Sequence, residues 1–192
     1  MKYPLSLYFI KIKSLIIPKS IQIQRLKKIE NRAKIFADKK DLPFLVRCKI
    51  LEENERNPDS FTSIGFGYRY EQMKEGKYFV YIYRQNSMAP EMEIILTIFH
   101  EYGHYIDYYV SSETKSPLID LYDNNKFPKK WYGSFTEDFA ELFARYILDL
   151  ISLDDTTVEM LNAIISEGVA VLSDGQKKKT LDLEAFYSLK NF

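Results

Sequence analysis

Cysteine is almost absent from this 192-residue chain, which contains Cys48 alone. A single cysteine excludes an intrachain disulfide and any zinc cluster built from several thiolates. Cys48 lies within an apolar stretch, so we interpret it as a small buried hydrophobic residue rather than as a nucleophile. A chain of this length buries about 70 % of its unfolded surface and therefore needs no disulfide to fold.

Net charge is also absent, because 27 basic residues balance 27 acidic ones. This balance argues against nucleic acid or an anionic membrane as the main partner. No segment has the roughly 20 apolar residues of a membrane span. Residues 1–10 resemble a signal peptide faintly, but Lys11 and Lys13 interrupt the apolar run and no cleavage site follows before Pro18. We therefore expect a cytoplasmic rather than a secreted protein.

Glycine and proline are scarce, and together with the apolar periodicity they divide the chain into elements. In the first half we predict a strand at 5–17, a helix capped by Ser20 and running to about Lys40, and strands at 44–51, 63–70 and 78–83. A turn at 74–77 joins the strands at 63–70 and 78–83, which predicts an antiparallel hairpin. In the second half we predict a helix opened by Pro90 and ending near Val110, a loop or short irregular helix over 111–131, and helices near 136–150, 155–167 and 181–190.

These elements predict an α+β fold in one domain, 1–192. A small, mostly antiparallel sheet should pack on an N-terminal helix and on the helix after Pro90. Residues 1–89 would form the N-terminal helix and the sheet, and residues 90–192 would form a helical part.

Histidine is scarce as well, and both histidines of the chain stand in the run His100-Glu101-Tyr102-Gly103-His104. On a helix, positions i and i+4 share one face, so the two imidazoles can bind one zinc ion. Glu101 follows the first histidine, where its carboxylate can serve as general base toward a water at the metal. This HExxH pattern is typical of zinc peptidases.

A zinc site of this kind needs a third protein ligand, and with no histidine left it must be a carboxylate or a tyrosine. Glu137 and Glu141 are the best candidates, because they lie four residues apart on one face of the helix near 136–150. Arg145 could instead pair with Glu141. Asp107 competes from one turn beyond His104, although we favour a supporting or helix-end role for it.

The segments HEYGHYID at 100–107 and EDFAELFA at 137–144 together resemble the gluzincin peptidases. The likeness is closest to the catalytic domain of anthrax lethal factor and to the Pro-Pro endopeptidases, and it covers roughly residues 90–148. It implies a zincin-like fold, with Glu137 as the third zinc ligand and Glu141 as a supporting carboxylate. The short interval from His104 to Glu137 is similar to that of the ImmA/IrrE-like regulatory peptidases.

The same families place a tyrosine seven residues before the ligand glutamate, where its hydroxyl stabilises the oxyanion. That position is Lys130 here, and Tyr132 is the nearest substitute. The resemblance thus implies a zinc endopeptidase whose substrate lies extended along an edge strand, for which residues 78–83 are the candidate. Two alternatives are an ImmA-like peptidase or binding protein acting on one specific partner protein, and a toxin-like effector.

Overall fold

A computed structural model describes residues 5–51, 65–67 and 78–173 of the chain. The fold is α+β, as predicted, and the described residues are mostly helical. The described elements are α1 (Leu5–Ile16), α2 (Lys19–Asp38), β1 (Val46–Leu51), β2 (Gly65–Gly67), β3 (Tyr78–Tyr83), a short 3-10 helix (Arg84–Asn86), α3 (Glu91–Tyr109), α4 (Ser112–Asp123), α5 (Phe135–Ile147) and α6 (Asp155–Ser173). The predicted turn at 74–77 and the predicted helix at 181–190 lie outside the described residues.

The three described strands form one sheet in the order β1-β3-β2. β2 and β3 are antiparallel, with Gly65 opposite Ile82, which confirms the predicted direction of this pair. β1 and β3 are parallel from Val46 opposite Tyr78 to the strand ends, and theirs is the longer pairing. The prediction of a mostly antiparallel sheet is therefore wrong. Alternating apolar residues indicate a strand but do not determine the direction in which it pairs.

β3 is the central strand of this sheet, because β1 pairs with one side of it and β2 with the other. The prediction that residues 78–83 form an edge strand open to a peptide is therefore wrong. Most of β3 is buried, as expected for a strand with neighbours on both sides and helices nearby. The outer strands are β1 and β2, and of these β2 has the more extensive contact with α3.

The N-terminal segment is a helix, α1, and not the predicted strand. Its apolar run is short, and such a run is compatible with either element. Tertiary contacts decide the outcome: the Gln22 side-chain amide donates to the carbonyls of Ser14 at 2.5 Å and Ile17 at 2.7 Å, which fixes the corner between α1 and α2. Pro18, rather than the predicted Ser20, occupies the position before the first residue of α2.

The helix α3 lies at the centre of the fold and contacts α2, α5, α6 and the sheet. It begins after Pro90 and ends at Tyr109, close to the predicted bounds. Its large apolar side chains recur at three- and four-residue intervals and are fully buried, namely Ile94, Ile95, Ile98, Phe99, Tyr102 and Ile106. That burial on several sides makes α3 a rigid support for the histidines on its remaining face.

The helical C-terminal half departs from its predicted bounds at three places, the first being the end of α5, which lies at Ile147 and not near residue 150. Residues 112–123 form a regular helix, α4, with Pro117 inside it and with Ser111 as its N-cap, where a loop or short irregular helix was predicted. The helix α6 continues to Ser173, beyond the predicted end at 167. None of the helices in the described part of the chain is long and apolar enough to cross a membrane.

The axes of α3 and α5 approach closely at Gly103. A Cβ atom on Gly103 would lie 2.9 Å from the Cα of Ala140, 3.2 Å from its carbonyl oxygen and 3.0 Å from the Phe143 ring. Backbone atoms cannot move aside as a flexible side chain can, so only glycine fits at position 103 of α3, opposite Ala140 of α5. This contact sets the distance between α3 and α5.

We expect Gly103→Ala to lower the free energy of unfolding by about 1–3 kcal/mol, because the overpacked methyl group must separate α3 from α5. The higher helix propensity of alanine opposes this loss by up to about 1 kcal/mol. Urea denaturation followed by circular dichroism measures the difference. Met92→Ala, at an exposed position of the same helix, serves as the control. A Gly103→Ala protein as stable as the parent would contradict the close approach.

Candidate metal centre

Three side chains from α3 and α5 converge on one point of the surface. His100 and His104 lie one turn apart on α3, and their Nε2 atoms are 3.1 Å apart. Glu137, in the first turn of α5, places Oε2 at 3.2 Å from His100 Nε2 and 3.5 Å from His104 Nε2. Among the residues that the structure describes, these three form the group able to hold a metal ion.

The triangle of donor atoms fits a zinc ion. Ligands at 2.0–2.1 Å in tetrahedral geometry lie about 3.3 Å from one another, which matches the three separations. Two imidazole nitrogens that face each other at hydrogen-bonding distance repel if both present lone pairs, so a proton or a cation must lie between them. The side chains of His100, His104 and Glu137 are 14 %, 24 % and 48 % exposed, so solvent and a substrate can reach the site.

The carboxylates around the histidines favour positive charge at this point. Burial lowers the pKa of His100, but hydrogen bonds with Glu137 and Glu141 outweigh it and raise this pKa from 6.5 to about 9. The hydrogen bonds with His100 and then His104 lower the pKa of Glu137 far below its usual range. A field that stabilises an imidazolium also stabilises a metal cation at the same place.

Glu141 contacts the other nitrogen of His100. Its Oε2 lies 3.2 Å from His100 Nδ1, and its Oε1 accepts from Arg145 at 2.6 and 2.7 Å. Burial raises the pKa of Glu141, but His100 and Arg145 outweigh it, so the group stays ionised with a lowered pKa. A carboxylate that accepts from Nδ1–H fixes the tautomer that leaves Nε2 free to bind a metal. The two glutamates therefore have different positions. The Glu137 carboxylate lies beside the Nε2 atoms of both histidines, and the Glu141 carboxylate lies beside Nδ1 of His100.

Tyr132 lies beside the three converging side chains of His100, His104 and Glu137. Its ring centroid is 5.9 Å from that of His100 in an edge-to-face arrangement, and 59 % of the residue is exposed. Burial of part of its surface, and then the charges of Glu141 and Glu137, raise the pKa of its hydroxyl. The phenol therefore keeps its proton at neutral pH and can act as a hydrogen-bond donor.

Lys130 occupies the position seven residues before Glu137, and it points elsewhere. Its Nζ donates to Asn125 at 3.0 Å and lies 3.9 Å from the centroid of the Tyr122 ring. Of the two residues considered from the sequence, Tyr132 is therefore the one placed next to a histidine.

Asp138 is a further residue of this region, and no sequence motif pointed to it. It is fully buried, and its carboxylate accepts from the backbone N–H groups of Trp131 at 2.6 Å, Tyr132 at 2.7 Å and Gly133 at 3.1 Å. A fourth bond comes from the Tyr122 hydroxyl at 2.9 Å. Gly133 has a φ of 79°, a conformation that favours glycine and turns the chain toward α5. Asp138 thus fixes the backbone that presents Tyr132 to His100.

The remaining two predicted site residues are both on α3. Glu101 is half-buried, and its charge contributes to the raised pKa of His100. Asp107 is buried near the end of the helix, where Lys115 of α4 donates to its carboxylate at 3.2 Å and to its backbone carbonyl at 2.9 Å. Through these contacts Asp107 connects the end of α3 with α4, which agrees with a helix-end role.

Comparisons with protein-family models, with curated proteins and with solved structures give no match to this chain. The interpretation of the site therefore depends on its own geometry.

Proposed function

We propose that this protein is a zinc-dependent endopeptidase. The observation that carries the proposal is the triangle of His100 Nε2, His104 Nε2 and Glu137 Oε2, with Glu101 directly after the first histidine on the same helix. Two histidines, one carboxylate and an adjacent glutamate are the parts that metal-assisted hydrolysis of a peptide bond requires.

The three ligands would hold the zinc ion while the rest of the site handles protons. When bound, the ion supplies a Lewis acid that polarises a carbonyl and makes water acidic near neutral pH. Glu101 takes the proton from the attacking water and delivers it to the amine of the departing peptide. Glu141 keeps the His100 ring in its orientation through Nδ1, and Arg145 keeps Glu141 ionised.

Tyr132 is the proposed donor to the oxyanion that forms at the scissile carbonyl. Its protonated hydroxyl and its place beside His100 suit this role, and in other enzymes one such donor contributes roughly 3–4 kcal/mol to transition-state stabilisation. The four hydrogen bonds to Asp138 hold the Tyr132 backbone in place before a substrate arrives. Such preorganisation reduces the rearrangement needed during the reaction.

An extended peptide substrate that adds to the sheet must do so at an outer strand, because β3 has neighbours on both sides. We place it on the side of β2, the outer strand with the more extensive contact with α3. Backbone hydrogen bonds there would supply affinity for many sequences, and pockets for alternate side chains would supply specificity.

A peptide-library digest tests the proposed activity. The zinc-loaded protein should cleave internal peptide bonds of a mixed library, as read by mass spectrometry of the new termini. Treatment with 1,10-phenanthroline should stop the cleavage, and added zinc should restore it. Cleavage that persists in the chelator would contradict the proposal, as would zinc-loaded protein that cleaves no library peptide and no denatured protein. The second result would favour a binding protein that keeps the metal site.

A further inference from the structure

The zero net charge conceals a strong asymmetry along the chain. Residues 1–29 contain seven lysines and arginines and no acidic residue, the first acid being Glu30. Residues 30–192 contain the other twenty basic residues and all twenty-seven acidic ones. An asymmetry of this size indicates a partner with negative charge on the N-terminal side.

The same segment exposes large apolar side chains. Phe9, Ile12, Leu15 and Ile16 of α1 are 63 %, 50 %, 63 % and 75 % exposed. At 100° per residue these four positions fall on one side of the helix, opposite Ile10 and Ser14, which face the protein. A contiguous row of exposed apolar residues on one helix indicates a contact surface. We call these four residues the α1 face.

The orientation of α1 is fixed by polar contacts on its inner side. Gln22 donates to the Ser14 carbonyl, and its Oε1 accepts from the Ser87 hydroxyl at 2.7 Å. Arg25 donates to the carbonyls of Ser87 and Ala89, which adds a second link between α2 and the segment before α3. The α1 face therefore points outward because its opposite side is attached to the protein.

We propose that the α1 face docks on the surface of an anionic lipid bilayer. Apolar side chains enter the boundary between headgroups and acyl chains, while Lys13, an exposed cation on the same helix, contacts acidic headgroups. At about 1.5 Å per residue, this 12-residue helix is only about 18 Å long, so it lies on the bilayer rather than across it.

Nucleic acid would match the positive charge of the N-terminal segment but not the row of isoleucine, leucine and phenylalanine on the α1 face. The acidic remainder of the chain is repelled from the same lipid surface, which orients the molecule.

Vesicle flotation of the full chain tests the proposal. The protein should float with phosphatidylcholine vesicles that contain phosphatidylserine and remain at the bottom with phosphatidylcholine alone. Ile12→Ser combined with Ile16→Ser should lower the partition coefficient by about tenfold or more, since two apolar side chains no longer enter the lipid. Lys13→Gln should lower it by about fivefold, and high salt should weaken binding further.

Ile35→Ser is the matched control, because Ile35 is 56 % exposed but lies near the far end of α2, beyond Glu30. It should float like the parent protein. Absence of binding to the acidic vesicles would overturn the proposal, and so would an equal loss in the Ile35→Ser protein. A lipid-free dimer that the double variant converts to a monomer would also overturn it, because a second copy would then cover the α1 face. The zinc content of all variants should equal that of the parent, so this result is separate from the proposed peptidase activity.

Discussion

Glu101→Gln is expected to lower kcat/KM for peptide cleavage by about a hundredfold to ten-thousandfold, the usual contribution of a positioned general base. Glutamine keeps the size and the hydrogen-bonding shape of glutamate but cannot accept the proton from water. The zinc content should be unchanged, since Glu101 is not one of the three converging ligands. The measurement is the rate of cleavage of a substrate found in the library, beside elemental analysis of the same sample.

Glu93→Gln is the matched control for this variant. Glu93 is exposed on the same helix, two turns before the motif, and should retain the parent rate. A Glu101→Gln protein with zinc bound and full activity would remove Glu101 from the mechanism. An equal loss in Glu93→Gln would assign the effect to a change in helix charge instead.

Asp138→Ala is expected to lower the free energy of unfolding by about 3 kcal/mol and to reduce peptide cleavage. Removal of the carboxylate leaves three backbone N–H groups and the Tyr122 hydroxyl without their acceptor, and each donor that stays buried and unpaired costs about 1–3 kcal/mol. Water reaches part of the loop and can pair with some of these donors, so the loss of stability stays below the sum of the four separate costs. The loss of activity should appear in kcat more than in zinc content, because the loop carries Tyr132 and no metal ligand.

The pH dependence of stability gives a second measure of Asp138. Burial raises the pKa of its carboxyl group, but the hydrogen bonds from Tyr132, Trp131, Tyr122 and Gly133 outweigh burial and lower it from 3.8. A lowered pKa in the folded state means that the contribution to stability is present above pH 3.8 and is lost as the pH falls through the folded value. The parent protein should therefore lose stability below pH 3.8, and Asp138→Asn should show a smaller loss.

Urea denaturation between pH 7 and pH 3 measures both effects of the Asp138 variants. Asp120→Ala, an exposed acid on α4, is the control and should change stability by less than about 0.5 kcal/mol. Equal stability of Asp138→Ala and the parent protein would contradict the proposed role of the four hydrogen bonds.

The helices that bear the candidate site could be predicted because their signals are local. Both histidines and Glu101 lie on one strongly periodic helix that follows Pro90, and its bounds agree with the prediction to within one residue. Glu137 and Glu141 also share a helix, so their common face followed from spacing alone. Which of them lies with the histidine Nε2 atoms depends on how α5 crosses α3, and the sequence pointed to Glu137 through resemblance only.

Features that depend on tertiary contacts could not be predicted in the same way. The α1 segment has an apolar run compatible with strand or helix, and its contacts with α2 and with Ser87 decide between them. The parallel pairing of β1 with β3 joins segments that are far apart in the chain. Asp138 looked like one more acid in the first turn of a helix, a common position for acids near the positive end of the helix dipole. Its role appears only when the preceding loop folds back onto it.

Elemental analysis of zinc in the purified protein, beside Glu137→Ala and Glu141→Ala, tests the proposed metal centre. We expect about one zinc per chain in the parent, loss of the metal in Glu137→Ala and retention of most of it in Glu141→Ala. Glu141→Ala should bind zinc about 10–100-fold more weakly, as expected for the loss of a residue that supports a ligand. A parent protein that binds no zinc after reconstitution would contradict the proposed zinc site, and so would loss of zinc in Glu141→Ala with retention in Glu137→Ala.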